Sequence, residues 1–96
     1  MKPSEVLKLK EKVIRRMIAR YPVANPRIFG SVARGKDTEE SDLDILVDTL
    51  PGCSLFDLGG LYEELIGELG INISLCTSAG LLPDMLERVL IDAIPL

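Results

Sequence analysis

Apolar residues recur along the chain with two different periods, and each change of period marks an element. Val6, Leu9, Val13 and Met17 fall three or four residues apart, and Leu7, Ile14 and Ile18 widen the stripe. This spacing predicts an amphipathic helix from Ser4 to about Arg20, with Lys8, Lys10, Lys12, Arg15 and Arg16 on its remaining surface. Pro22 and Pro26 forbid helical continuation and bound a short connector. Arg27-Ile28-Phe29 then reads as a short strand that runs straight into Gly30-Ser31, and Val32-Ala33-Arg34 as one helical turn that Gly35 breaks. After a polar loop from Lys36 to Glu40 the period becomes two. Leu43, Ile45 and Val47 alternate with Asp42, Asp44, Leu46 and Asp48, as in a strand.

The second half repeats the alternation of helix and strand. Leu50-Pro51-Gly52 is a turn, and Ser54 is placed to cap a helix with Asp57 three residues on. Leu55, Leu58, Tyr62, Leu65 and Leu69 form the expected core-facing stripe of that helix, which ends at Gly70. Gly59, Gly60 and Gly67 lie inside it. Each costs about 1 kcal/mol against Ala, which points to close packing against a neighbour. Ile71 to Thr77 is the third strand, with Ile71, Ile73 and Leu75 alternating against Asn72, Ser74 and Cys76. Pro83, Leu86, Val89, Leu90 and Ala93 outline a last amphipathic helix, which Pro95 stops.

Ninety-six residues suit a single small domain, 1–96, with one core. Aromatic residues are only 4% of the chain and Trp is absent, so Leu, Ile and Val must build that core. The same scarcity removes the stacking platforms that single-stranded nucleic acid needs. Net charge divides sharply: residues 1–36 hold ten Lys/Arg against Glu5 and Glu11, a balance of +8. Residues 37–96 hold thirteen Asp/Glu against Arg88 alone, a balance of −12, which suits a basic protein partner or metal ions rather than nucleic acid. Two solvated faces would give the same numbers. Cys53 and Cys76 are too few for a disulfide scaffold, and with no His and no CxxC there is no zinc site. No apolar run reaches the length of a membrane span and no signal peptide is visible, so the expected setting is the cytoplasm.

Chemistry concentrates between Phe29 and Asp48. A nucleoside triphosphate needs backbone N–H groups and a small hydroxyl close to its phosphates, and Gly30-Ser31 between a strand and a helical turn supplies both. Asp42 and Asp44 lie on one face of a strand, about 6–7 Å apart along the backbone. Side by side at the mouth of an apolar strand they repel each other, and a divalent cation relieves that repulsion. Hard oxygen ligands suit Mg²⁺, with substrate phosphates completing its shell. Arg34 is placed either to stabilise phosphate charge or to pair with an acid such as Asp37.

Gly30-Ser31-Val32-Ala33-Arg34-Gly35 followed by Ser41-Asp42-Leu43-Asp44-Ile45-Leu46-Val47 resembles the Gly-Ser-x-Ala-Arg-Gly … Ser-Asp-x-Asp pattern of the polymerase-β-like nucleotidyltransferases. More closely, the chain is similar to minimal nucleotidyltransferase (MNT) domains, and the similarity extends through Ser54–Leu58 and Leu86–Leu90. The resemblance implies an α/β (α+β) fold, a small mixed sheet of three or four strands flanked by about four helices. It implies that Gly30 and Ser31, with Arg34 and Ser41, bind the nucleotide, and that Asp42 and Asp44 ligate Mg²⁺ and carry catalysis. It further implies an antitoxin beside a helical HEPN-family toxin ribonuclease, with AMP passing from ATP to a toxin tyrosine. One departure stands out: the family's third strand carries a carboxylate where this chain has Ser74. Serine binds Mg²⁺ poorly and cannot act as a carboxylate base. Asn72 offers an oxygen without basicity, and Asp48 or Glu68 are remote substitutes. The alternative is therefore a weakened or inactive enzyme that neutralises its partner by contact, or a nucleotide sensor. Self-association is also an expectation for a domain this small.

Overall fold

The computed structural model describes residues 1–96. Its elements run α1 (Pro3–Ala19), β1 (Val23–Phe29), α2 (Gly30–Ala33), β2 (Leu43–Thr49), α3 (Leu55–Leu69), β3 (Ile73–Thr77), α4 (Pro83–Asp92) and β4 (Ile94–Pro95). The strands form one sheet in the order β3-β2-β1-β4. β1 is antiparallel to β2 and to β4, whereas β2 and β3 are parallel, joined by α3 as the crossover. The α/β class with a small mixed sheet is the one expected from sequence.

The period-2 pattern of β2 decides which face is which. Leu43, Ile45 and Val47 point to one side and are fully buried against Ile14, Met17 and Ile18 of α1 and Leu61, Leu65 and Leu69 of α3. Each such side chain contributes roughly 1.5–3 kcal/mol by leaving water. Asp44, Leu46 and Asp48 face the other way, so the core side of the strand fixes where the acids point. Ser54 caps α3 as its sequence suggests: its hydroxyl accepts from the Asp57 N–H at 3.1 Å, and its own N–H donates to the Asp57 carboxylate at 2.9 Å.

Five expectations shift. β1 begins at Val23, because the chain crosses Asn25-Pro26 as a bulge, with the register slipping between Ala24 and Arg27. Asn25 takes φ +52°, and Pro26, which has no N–H to donate, sits in that irregularity. The stripe of α1 is not straight: the helix kinks at Lys10, Leu9 is 72% exposed, and the Lys10 ammonium reaches back to the Glu68 carbonyl at 2.9 Å. That contact places a cation at the C-terminal end of α3, where the helix dipole favours it.

The buried face of α3 is Leu61-Leu65-Leu69, with Leu58 partly buried beside it, while Leu55 is 85% exposed and Tyr62 lies outside the core. Close packing explains only one of its glycines. A Cβ on Gly60 would touch the Tyr21 ring at 3.4 Å, whereas nothing lies within 4 Å of Gly59 or Gly67. Finally, the chain beyond α4 is an edge strand: Ile94 and Pro95 pair with Ile28 and Arg27, and the Leu96 N–H donates to the Pro26 carbonyl at 2.9 Å. No helix is long and apolar enough to cross a membrane.

Candidate functional site

The turn from β1 into α2 brings the two halves of the site together. Phe29 and Asp44 are partners across the antiparallel β1–β2 pair, so the next residue, Gly30, sits directly over the Asp44 carboxylate. A Cβ on Gly30 would collide with Asp44 Oδ2 and approach Cγ to 3.0 Å. Gly30 also holds φ +73°, a left-handed conformation that glycine adopts without steric cost. The glycine is thus required twice, by its backbone angle and by the acid beneath it.

Asp42 immediately precedes β2, where the Leu43 N–H donates to the Asn72 carbonyl at 2.9 Å and ties the site to the third strand. Neither Asp42 nor Asp44 enters a salt bridge. Burial raises the Asp44 pKa above its ordinary value, and the nearby Asp42 charge raises it further; the Arg34 charge and the Ser74 hydroxyl pull the other way. This half-buried acid beside a second acid fits a cation whose remaining ligands come from a substrate, because Mg²⁺ is commonly held by one or two carboxylates plus phosphates. Nowhere in the chain do three His, Cys, Asp or Glu side chains converge on a common point. The parallel β2–β3 register explains why: the residue opposite Asp44 is Ser74. Its hydroxyl lies 3.8 Å from Cys76 Sγ on the same face.

The other sequence-derived residues divide. Ser31 lies in the first turn of α2, and its carbonyl accepts from Lys36 N–H at 2.9 Å. Ser41 uses its hydroxyl inside the loop, accepting from the Thr38 N–H at 2.8 Å just before the acids. Arg34 pairs with Asp92 of α4 at 3.7 Å, rather than with Asp37. Asp37 instead accepts from the Ser4 N–H at 2.8 Å, at the start of α1. Asp48 is no stand-in for a third acid: Ser78, Asn25 and Arg27 all donate to it, and these bonds hold its pKa below the ordinary value. Glu68 is paired with Lys10 where α1 meets α3.

Sequence reasoning did not anticipate the part played by α4. Phe29, Gly30, Arg34, Arg88, Val89 and Asp92 line a cavity of about 310 Å³ beside the Gly30 turn. The available signal was Arg88, the single basic residue after position 36. A second cavity, of about 340 Å³, lies between α1 and α3. It contains the paired Arg20 and Glu64 and none of the site residues, so it has no part in this chemistry.

Residues 10–95 match the nucleotidyltransferase domain family. The candidate protein adenylyltransferase MJ0435 of Methanocaldococcus jannaschii is 37% identical over 86 residues, which cover 90% of this chain and 91% of that protein. The protein adenylyltransferase MntA of Thermococcus cleftensis is 35% identical over 75 residues, covering 78% of this chain and 76% of that one. Among solved structures, a candidate minimal nucleotidyltransferase matches with a TM-score of 0.88 at 40% identity, covering 97% of this chain and 95% of its own. A toxin–antitoxin structure with AMP-PNP shares the fold, with a TM-score of 0.77 at 18% identity over 88% of this chain and 70% of its own. With its Gly-Ser turn seated on Asp44 of β2, and Asp42 just before that strand, this chain belongs to the nucleotidyltransferase domain family, as a minimal nucleotidyltransferase domain.

Proposed function

We propose that this chain is an MNT-type antitoxin that neutralises a HEPN-family toxin ribonuclease by transferring AMP from ATP to a toxin tyrosine, with Mg²⁺. The observation that carries the reading is the Asp42–Asp44 pair, free of salt bridges, with Asp44 packed under Gly30. Two relatives named as protein adenylyltransferases and a toxin–antitoxin structure of the same fold support it. The free thiols Cys53 and Cys76 are consistent with work in the cytoplasm.

In this reaction the tyrosine oxygen attacks the α-phosphorus of ATP, the bond to the bridging oxygen breaks, and pyrophosphate leaves. Asp42 and Asp44 would hold Mg²⁺, which when bound offsets negative charge on the phosphates. Gly30 lets the phosphates approach the backbone, Ser31 offers a hydroxyl, and Arg34 supplies a guanidinium. Ser41 holds the loop that delivers Asp42. Ser74 cannot take the acceptor's proton, which therefore passes to water. A phenol, with a pKa of about 10, needs far less help to ionise than an aliphatic alcohol does.

The test is α-labelled ATP with Mg²⁺ and the partner protein. Label on a partner tyrosine, lost in Asp42→Asn, supports the reading, and an unlabelled partner refutes it. The register of Ser74 beside Asp44 favours one second reading, an antitoxin acting by contact through its acidic surface. That reading requires neutralisation to survive Asp42→Asn together with Asp44→Asn.

A further inference from the structure

The cavity between α2 and α4 has a charge arrangement that the metal site does not explain. Arg34, which caps the end of α2, and Arg88 of α4 both line it together with Gly30. Arg88 has two acids at helical spacing, Asp84 and Asp92, yet forms a salt bridge with neither. Its one hydrogen bond runs from Nε to the Asp84 carbonyl at a long 3.4 Å. Asp92 turns away from it to Arg34, and that pair is weak, because the two side chains are 49% and 42% exposed. One carboxylate thus faces two guanidiniums across a concave site next to the phosphate-approach turn. A second anion is the missing partner, and the planar guanidinium fork matches phosphate oxygens.

We propose that this cavity seats the terminal phosphates of the bound nucleotide, with Arg88 as a second phosphate-binding guanidinium and Asp92 as the carboxylate that holds Arg34 until they arrive. The inference rests on the nucleotide reading above and adds α4 to the site. No residue of α4 is buried, so the helix is attached to α2 and β1 by partial contacts only and can adjust as the phosphates displace Asp92. Asp92 is a positioning residue: it keeps Arg34 directed into the cavity and competes with phosphate for the same guanidinium.

Calorimetric titration of the purified chain tests this without any acceptor protein. The probes are inorganic tripolyphosphate and ATP, each with Mg²⁺, and AMP as the control that lacks the terminal phosphates. Arg88→Gln is expected to weaken tripolyphosphate and ATP by roughly ten- to a hundredfold while AMP affinity stays unchanged. Arg88→Lys should recover part of the loss, and circular dichroism should show both variants folded. Asp92→Asn should bind tripolyphosphate more tightly than the wild type, an outcome that a merely structural role for Asp92 does not produce. Equal affinities for wild type and Arg88→Gln, or no binding of tripolyphosphate to the wild type, overturn the proposal. If these affinities behave as stated but no AMP reaches the partner, adenylyl transfer fails and the phosphate seat stands.

Discussion

The carboxylate of Asp44 occupies the space in which a Cβ on Gly30 would have to sit. The two residues are held there by the β1–β2 register, which pairs Asp44 with the residue just before the glycine. Gly30→Ala therefore has two consequences. It forces a left-handed φ of +73° on a residue with a side chain, and it drives the acid out of position. A loss of about 1–3 kcal/mol is expected from the backbone strain and the clash together. Urea denaturation should show the loss, and Mg²⁺-dependent ATP binding should fall in the same variant.

Asp44 is kept at a cost to stability, and the pH dependence of unfolding is expected to reveal it. Burial and the neighbouring Asp42 raise its folded pKa above the unfolded value, so the folded protein holds this proton more tightly than the unfolded chain does. Its contribution is therefore most favourable below the unfolded value of 3.8 and is lost as pH rises through the higher folded value. Asp44→Asn should accordingly raise the melting temperature at neutral pH in metal-free buffer. The gain over wild type should shrink toward the acid end of the titration. Added Mg²⁺ should stabilise the wild type and leave the variant unmoved.

Asp48 behaves in the opposite sense. The Ser78 hydroxyl, the Asn25 amide and the Arg27 guanidinium lower its pKa in the folded state. Its stabilisation is present above the unfolded value of 3.8 and disappears as pH falls through the lower folded value. Asp48→Ala is expected to cost about 1 kcal/mol, discounted because the carboxylate is partly exposed. Melting curves recorded downward from pH 7 should show a loss that is full at neutral pH and shrinks as pH falls below 3.8. AMP transfer should be unaffected, which separates this network from the metal pair.

Ser54 gives a test far from the site. It caps α3 reciprocally with Asp57, so Ser54→Ala should lower stability by about 1 kcal/mol without changing nucleotide affinity. Chemical denaturation and ATP titration on the same sample check both halves of the statement.

What sequence revealed, and what it did not, follows from the range of each interaction. The Gly30-Ser31 turn, the alternation of Asp42 and Asp44 with Leu43 and Ile45, and the Ser54 cap are local patterns, legible because period and turn chemistry act within a few residues. Ser74 was legible as a departure, and the parallel register places it opposite Asp44. The buried face of α3 differs from the expected one because Leu is abundant on both sides of the helix. Only the packing of Leu61 against the sheet and α1 decides between them. β1 begins four residues before its expected start because two prolines ordinarily end a strand, whereas here Asn25 and Pro26 form a bulge within it. The Arg34–Asp92 pair joins residues 58 positions apart, and no local pattern reports such a contact.

The central claim is that Asp42 and Asp44 perform transfer despite Ser74, and one measurement bears on it most directly. Wild type, Asp42→Asn with Asp44→Asn, and Ser74→Asp are incubated with α-labelled ATP, Mg²⁺ and the partner toxin, and the rate at which AMP appears on the toxin is followed. Measurable transfer by the wild type, its loss in the double variant, and a rate higher by about 10²-fold or more in Ser74→Asp are the results predicted. A wild type that transfers nothing, while the double variant still neutralises the toxin, contradicts the account.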